Sequence, residues 1–145
     1  MLGLIKKMPV DKQRGKEVIA YLLEQAPEIK KWLGDAKDFT PEDVLTKDRF
    51  DHAAVMYMLT LHHLVYCMHD ENTFKHHVRV IMGYHTPLEG FHDNTAQYDK
   101  FFRIFTRYVK TNMPLSEEEE KALRDFGTTF VKQVKLAIEE AKTKA

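Results

Sequence analysis

The sequence has little of the material from which common metal and nucleic-acid sites are built. Its 145 residues include one cysteine, Cys67, and the formal net charge is +0 with neutral histidines. A single cysteine excludes a disulfide within the chain and a zinc site based on cysteines. A net charge of zero gives no electrostatic reason to expect binding to nucleic acid or to an acidic partner.

Long apolar runs are also missing. The longest, residues 53–61, contains Thr60 and ends at His62 and His63, well short of the roughly 20 residues that span a bilayer. The apolar run at the N-terminus is too short for the core of a signal peptide, and positive charge follows it instead of preceding it. We therefore predict a soluble protein of the cytoplasm with no membrane segment.

Most catalytic signatures are absent. There is no glycine-rich phosphate loop and no zinc-binding His-Glu-x-x-His motif. The only Glu-x-x-His spacing, Glu89 to His92, lies in a loop rich in glycine and proline, which argues against a four-helix di-iron site.

What the sequence does contain is helical periodicity. Apolar residues repeat at steps of three and four over residues 12–26, 48–69, 71–84, 97–111 and 117–138. Asp11, Thr40 and Ser116 stand where helix N-caps belong. Sustained strand alternation is absent, so we predict an all-α fold of about seven helices in a single domain, residues 1–145.

Seven of the eight histidines fall between Phe50 and His85. Two apolar stripes run through this stretch and can face each other across a hairpin; they are Ala53, Tyr57, Thr60 and Leu64, then Phe74, Val78, Ile81 and His85. His85 ends the second stripe, where a flat apolar cofactor would fit. From spacing alone, the simpler interpretation of His85 is a histidine near a helix C-terminus, where its charge suits the dipole.

The remaining histidines give a weaker pattern. His62, His69 and His76 recur every seven residues, but the predicted break at residues 70–72 separates them onto different helices. We assign solvent or helix-packing roles to these three and to His63 and His77. Cys67 lies near His63 and could be a nucleophile, although a buried, inert thiol is far more typical.

Several segments together resemble the globin family, particularly its nematode branch, over residues 14–140. The most specific are residues 26–34 (APEIKKWLG), 39–44 (FTPEDV), 47–51 (KDRFD), 72–75 (NTFK), 78–79 (VR) and 101–106 (FFRIFT). The resemblance implies a globin-like fold that holds haem b between two helices. It also implies that the first helix is truncated.

The resemblance places His85 at the proximal position, as the ligand of the haem iron, which leaves the opposite iron position open. Ala53 falls at the distal position, where globins usually carry histidine or glutamine, and Leu33 at the position that is usually phenylalanine. The other residues implied to line the haem pocket are Tyr57, Ile19, Ile81 and Phe105.

Because Ala53 and Leu33 differ from the residues that globins usually carry at these positions, we consider three functions. The leading one is a haem globin that reversibly binds oxygen or another diatomic gas, with Tyr57 or His52 supplying the distal contact. The second is a haem-free interaction or sensor module in which Tyr57 fills the distal space. A peroxidase or dioxygenase is a third, weaker hypothesis, because no distal histidine is available for acid–base work. Apolar surface left open beside a short first helix could favour a homodimer.

Overall fold

Seven α-helices joined by short turns make up residues 1–144, which a computed structural model describes. They are α1 (Leu2–Lys6), α2 (Lys12–Gln25), α3 (Pro41–Thr46), α4 (Asp51–Cys67), α5 (Glu71–Tyr84), α6 (Thr95–Asn112) and α7 (Glu117–Lys144). Three 3₁₀ segments, Pro27–Trp32, Gly34–Ala36 and Asp48–Phe50, turn the chain between α2 and α4. The prediction of an all-α fold with about seven helices is confirmed. None of the helices in this described part is both long and apolar enough to cross a membrane.

The predicted helix starts are made by side-chain caps. Asp11 accepts a hydrogen bond from the Arg14 amide at 2.8 Å. Thr40 and Asp43 cap each other reciprocally at the start of α3. Ser116 forms the same capping box with Glu119 before α7. Such local bonds satisfy amide groups that have no partner within the helix, which is why the boundaries could be predicted from sequence.

The N-terminal segment closes one side of the core. Leu4, Ile5 and Met8 are each about 1% exposed, and His62 Nε2 donates a hydrogen bond of 2.5 Å to the Met8 carbonyl. The N-terminal segment therefore buries these three side chains within the chain, while Leu2 stays exposed. The homodimer remains a prediction, but these three residues do not supply the open surface that motivated it.

Helices α2 and α4 meet backbone to backbone. A Cβ atom placed on Gly15 would lie 2.3 Å from the Ala54 carbonyl oxygen, a distance that real Cβ atoms do not adopt. Beside this contact, Lys16 is 4% exposed, and its Nζ lies 2.6 Å from both Asp51 Oδ1 and the Lys47 carbonyl. The first turn of α4 is thus fixed against α2.

Helix α5 is held on the other side of the molecule. Lys75 and Arg79 form ion pairs with Glu140 of α7, while Phe74 packs edge-on against Phe126. Helices α4 and α5 join at Asp70, whose side chain accepts from the Thr73 amide at 2.7 Å. The two helices are close at this turn and held by different neighbours farther on, which leaves a cavity between them.

Gly15→Ala should lower the free energy of unfolding by about 1–3 kcal/mol, since the new methyl group must push apart two backbones. Urea denaturation measures the change. The matched control is Gly83→Ala in α5, where a Cβ meets nothing within 4 Å and the helix should gain up to about 1 kcal/mol. Equal effects of the two substitutions would contradict the close contact of α2 with α4.

Candidate functional site

A cavity of about 770 Å³ lies between α4 and α5, within the size range of small-molecule and cofactor sites. Its wall is mostly aliphatic and aromatic. The side chains come from six of the elements around it and include Leu22, Ile29, Trp32, Leu33, Ala53, Met56, Tyr57, Leu61, Leu64, Ile81, Leu88, Phe91, Phe101, Phe102, Phe105, Phe126 and Phe130. The more polar side chains are His52, Thr60, Tyr84, His85 and Tyr98.

His85 is held at the C-terminal end of α5 by one hydrogen bond and two aromatic contacts. Its Nδ1 donates to the Ile81 carbonyl at 2.8 Å. The ring stacks on Phe91 with the centroids 4.9 Å apart, and Tyr98 meets it edge-on at 5.8 Å. Because Nδ1 carries the proton in this bond, Nε2 of the neutral ring keeps a free lone pair.

Burial lowers the pKa of His85 below its ordinary value, and the hydrogen bond to Ile81 opposes this only in part. Neutral imidazole is the form that binds a metal. His85 is therefore a neutral imidazole at neutral pH, and no hydrogen bond in the described part of the chain occupies its second nitrogen.

Tyr57 and Thr60 supply hydroxyl groups on the α4 side of the cavity, and Tyr57 is the larger side chain. Its ring packs edge-on against Phe105, with the centroids 6.1 Å apart. Burial raises the pKa of Tyr57, so the hydroxyl stays protonated at neutral pH. No hydrogen bond joins this hydroxyl to another residue of the described chain. Ala53, one turn earlier, has no polar side-chain atom to offer.

At the cavity rim, the 3₁₀ segment Pro27–Trp32 contacts the loop between α5 and α6. Trp32 Nε1 donates to the Glu89 carbonyl at 2.9 Å, and the Trp32 ring meets Phe91 edge-on at 5.0 Å. Leu33 follows directly and lines the wall. The same contacts that fix Phe91 therefore also help fix the His85 ring that stacks on it.

The cavity brings together six of the seven residues predicted to line a pocket; they are Leu33, Ala53, Tyr57, Ile81, His85 and Phe105. The seventh, Ile19, does not line it, which corrects the sequence-based assignment. Helix α2 crosses α4 at Gly15, and the residue that reaches the cavity is Leu22, nearly two turns beyond the crossing. Ile19 is half-buried against the core.

Sequence reasoning missed several lining residues. Phe91 lies in a segment predicted only as a loop, and nothing in its neighbourhood marks it as a contact of His85. Tyr98 and Phe101 could have been found, because they belong to the apolar face of α6. Leu22 likewise belongs to the predicted apolar face of α2.

Comparison with known proteins identifies the family. The model of the family described as Globin matches residues 16–134. The chain belongs to the globin family. His85 and the cavity between α4 and α5 can therefore be compared with the haem sites of other globins.

Curated relatives are nematode proteins of moderate similarity. A globin-like protein of Caenorhabditis briggsae is 26% identical over 116 residues, which cover 80% of this chain and 71% of that protein. An extracellular globin of Pseudoterranova decipiens is 28% identical, over 82% of this chain and 36% of its own length. A myoglobin of Nippostrongylus brasiliensis is 23% identical over 89% of this chain and 84% of its own.

Solved structures agree on the fold. A high-resolution structure of a C. elegans globin-like protein superposes with a TM-score of 0.80 at 22% identity, covering 90% of this globin and 80% of that chain. A second crystal form of that protein gives a TM-score of 0.79. The predicted globin-like architecture is confirmed.

Trp32→Phe should lower the free energy of unfolding by about 1 kcal/mol, because it removes one hydrogen bond and keeps an aromatic ring at the rim. Chemical denaturation gives the stability, and hydrogen exchange at the Phe91 amide gives the local effect. We expect faster exchange at Phe91 in the variant. Unchanged stability and exchange would mean that the bond to Glu89 does not hold the rim.

Proposed function

We propose that this globin binds haem b with His85 as the proximal iron ligand and reversibly binds oxygen or another diatomic gas. Storage, transport and sensing all use this chemistry. The observation that carries the proposal is the His85 ring, whose Nδ1 is bonded to Ile81 while Nε2 remains available at the wall of an apolar cavity. Haem in this cavity would supply an iron with one coordination position open to a gas.

The side chains present suit a flat apolar cofactor. The loop after α5 and helix α6 line the cavity with the aromatic rings of Phe91, Phe102 and Phe105, which offer apolar surface to a porphyrin. His52 is exposed at the cavity edge, where its side chain could contact a haem propionate or solvent. An apolar lining of this kind would favour a ferrous iron in bound haem, because it would offer few polar groups to hold water beside the metal.

Tyr57 is the residue that we propose to act on the gas. Its protonated hydroxyl has no partner among the described residues, so it is available to donate a hydrogen bond to a ligand in the cavity. A hydrogen bond donated to a polar ligand such as oxygen would favour that ligand over carbon monoxide, which accepts hydrogen bonds poorly. Ala53 leaves room for this tyrosine in place of the usual distal group.

The second candidate is a haem-free interaction or sensor module. Ala53, Leu33 and Tyr57 together favour it, because each departs from the usual haem-pocket residue and Tyr57 is large enough to occupy distal space. Failure of the purified protein to take up added haemin would select this function.

We propose the cytoplasm as the site of action. Cys67 is a buried free thiol, which suits a reducing compartment. The relative from P. decipiens is named an extracellular globin, so localisation with a tagged or immunodetected protein decides between the two compartments.

His85→Ala should abolish stable uptake of haemin, because the variant offers no proximal ligand. The single tryptophan, Trp32, lines the cavity and should lose its fluorescence as haemin fills the wild-type protein in a 1:1 titration. A Soret band measured in the same titration reports the iron environment.

The control for this titration is His69→Ala, which changes an exposed histidine outside the cavity and should leave uptake unchanged. A His85→Gly variant should regain a ligated spectrum when imidazole is added. Iron-ligated haem with an unchanged spectrum in His85→Ala would refute the proximal assignment.

Tyr57→Phe should raise the oxygen dissociation rate about fivefold to tenfold, since one hydrogen bond of about 1 kcal/mol is lost, and should change carbon monoxide dissociation much less. Stopped-flow displacement on the reduced protein measures both rates. Thr60→Val is the matched control, because it removes another hydroxyl from the same wall. Equal oxygen dissociation from Tyr57→Phe and wild type would show that Tyr57 does not contact the ligand.

A further inference from the structure

A second cluster of ligand-type side chains lies outside the haem cavity. His63, Cys67 and His77 each present one donor atom, and these three atoms lie within 4.8 Å of one another. The His63 and His77 ring centroids are 3.9 Å apart. None of the three residues lines the haem cavity. We propose that they form a zinc site that joins α4 to α5.

The fold brings these residues together for two reasons. His63 and Cys67 are four residues apart on α4, so their side chains lie one above the other on one helix face. His77 lies seven residues after Asp70, as His63 lies seven before it. Residues equally distant from the turn of an antiparallel helix pair lie at the same height, so His77 stands opposite His63.

The donor set suits Zn²⁺. One thiolate and two imidazoles are ligands that this borderline-soft ion favours, at Zn–S and Zn–N distances of about 2.3 and 2.0–2.1 Å. Tetrahedral bonds of those lengths separate donor atoms by about 3.3–3.6 Å. The present spacing therefore requires side-chain movement of roughly 1 Å, and the exposed His63 is free to make it.

The three side chains are not committed elsewhere in the described chain. Neither histidine takes part in an ion pair or hydrogen bond there, and Cys67 is a free thiol that is 8% exposed. On binding, the zinc–sulfur bond forms as the Cys67 thiol releases its proton to solvent, while both imidazoles coordinate in their neutral form. Three protein ligands leave a fourth position for water, which is typical of zinc sites that remain accessible.

The sequence did not predict this site. The regular spacing of His62, His69 and His76 pointed to other histidines, and the three that converge lie on two helices. The presence of one cysteine excludes a site made only of cysteines but not one that combines a single thiolate with imidazoles.

The test is equilibrium dialysis of the full chain against micromolar ZnCl₂, with zinc and protein measured in the same samples. We expect one zinc per chain at saturation. His63→Ala, Cys67→Ser and His77→Ala should each weaken binding at least tenfold, whereas His76→Ala and His69→Ala, which change neighbouring histidines, should bind as wild type does.

Two further readings make the result decisive. Zinc should slow modification of Cys67 by a thiol reagent, which adventitious binding at surface histidines would not do. His85→Ala should keep its zinc, which separates failure of this site from failure of the haem proposal.

His63 is exposed, so His63→Ala should retain the wild-type circular dichroism and remain informative if Cys67→Ser does not fold. Zinc binding that the three ligand substitutions leave unchanged, or uptake of Cu⁺ without uptake of Zn²⁺, would overturn the assignment.

Discussion

The direct contact between the backbones of α2 and α4 is the constraint on which the cavity depends. Glycine at position 15 lets α4 approach until Ala54 touches it, and the buried Lys16 holds the first turn of α4 through Asp51. Helix α5 is meanwhile drawn toward α7 by the ion pairs of Glu140. The cavity is the space between two helices that share a turn but pack on different partners.

The chemistry follows from what each wall of that space presents. The α5 wall carries one neutral imidazole whose ring is fixed by a carbonyl and two aromatic neighbours, so little reorganisation is required for it to ligate a metal. The α4 wall carries a protonated tyrosine hydroxyl and, one turn before it, an alanine. Tyr57 follows Ala53 by four residues on the same helix face and is the less exposed of the two, so the hydroxyl is the hydrogen-bond donor that this face offers.

The parts of the fold that depend on local order could be predicted from the sequence. Helix starts follow from capping residues a few positions away, and His85 is marked by the apolar stripe that precedes it. Features that depend on how helices meet could not be predicted in this way. They include the Gly15 contact, the stacking of Phe91 on His85, and the presence of Leu22 instead of Ile19 in the cavity wall. All three depend on the angles and positions at which helices cross, which the spacing of residues along one helix does not encode.

The proposed haem site depends on His85 as the iron ligand within this cavity. The measurement we would make is resonance Raman spectroscopy of the haemin-reconstituted, reduced protein without added gas. We expect an iron–histidine stretching band from a five-coordinate ferrous haem, shifted by ¹⁵N-labelling of histidine and absent from His85→Gly treated with haemin in the absence of imidazole. A five-coordinate ferrous haem that lacks this band in the wild-type protein, or a band that persists unchanged in His85→Gly, would contradict His85 as the ligand.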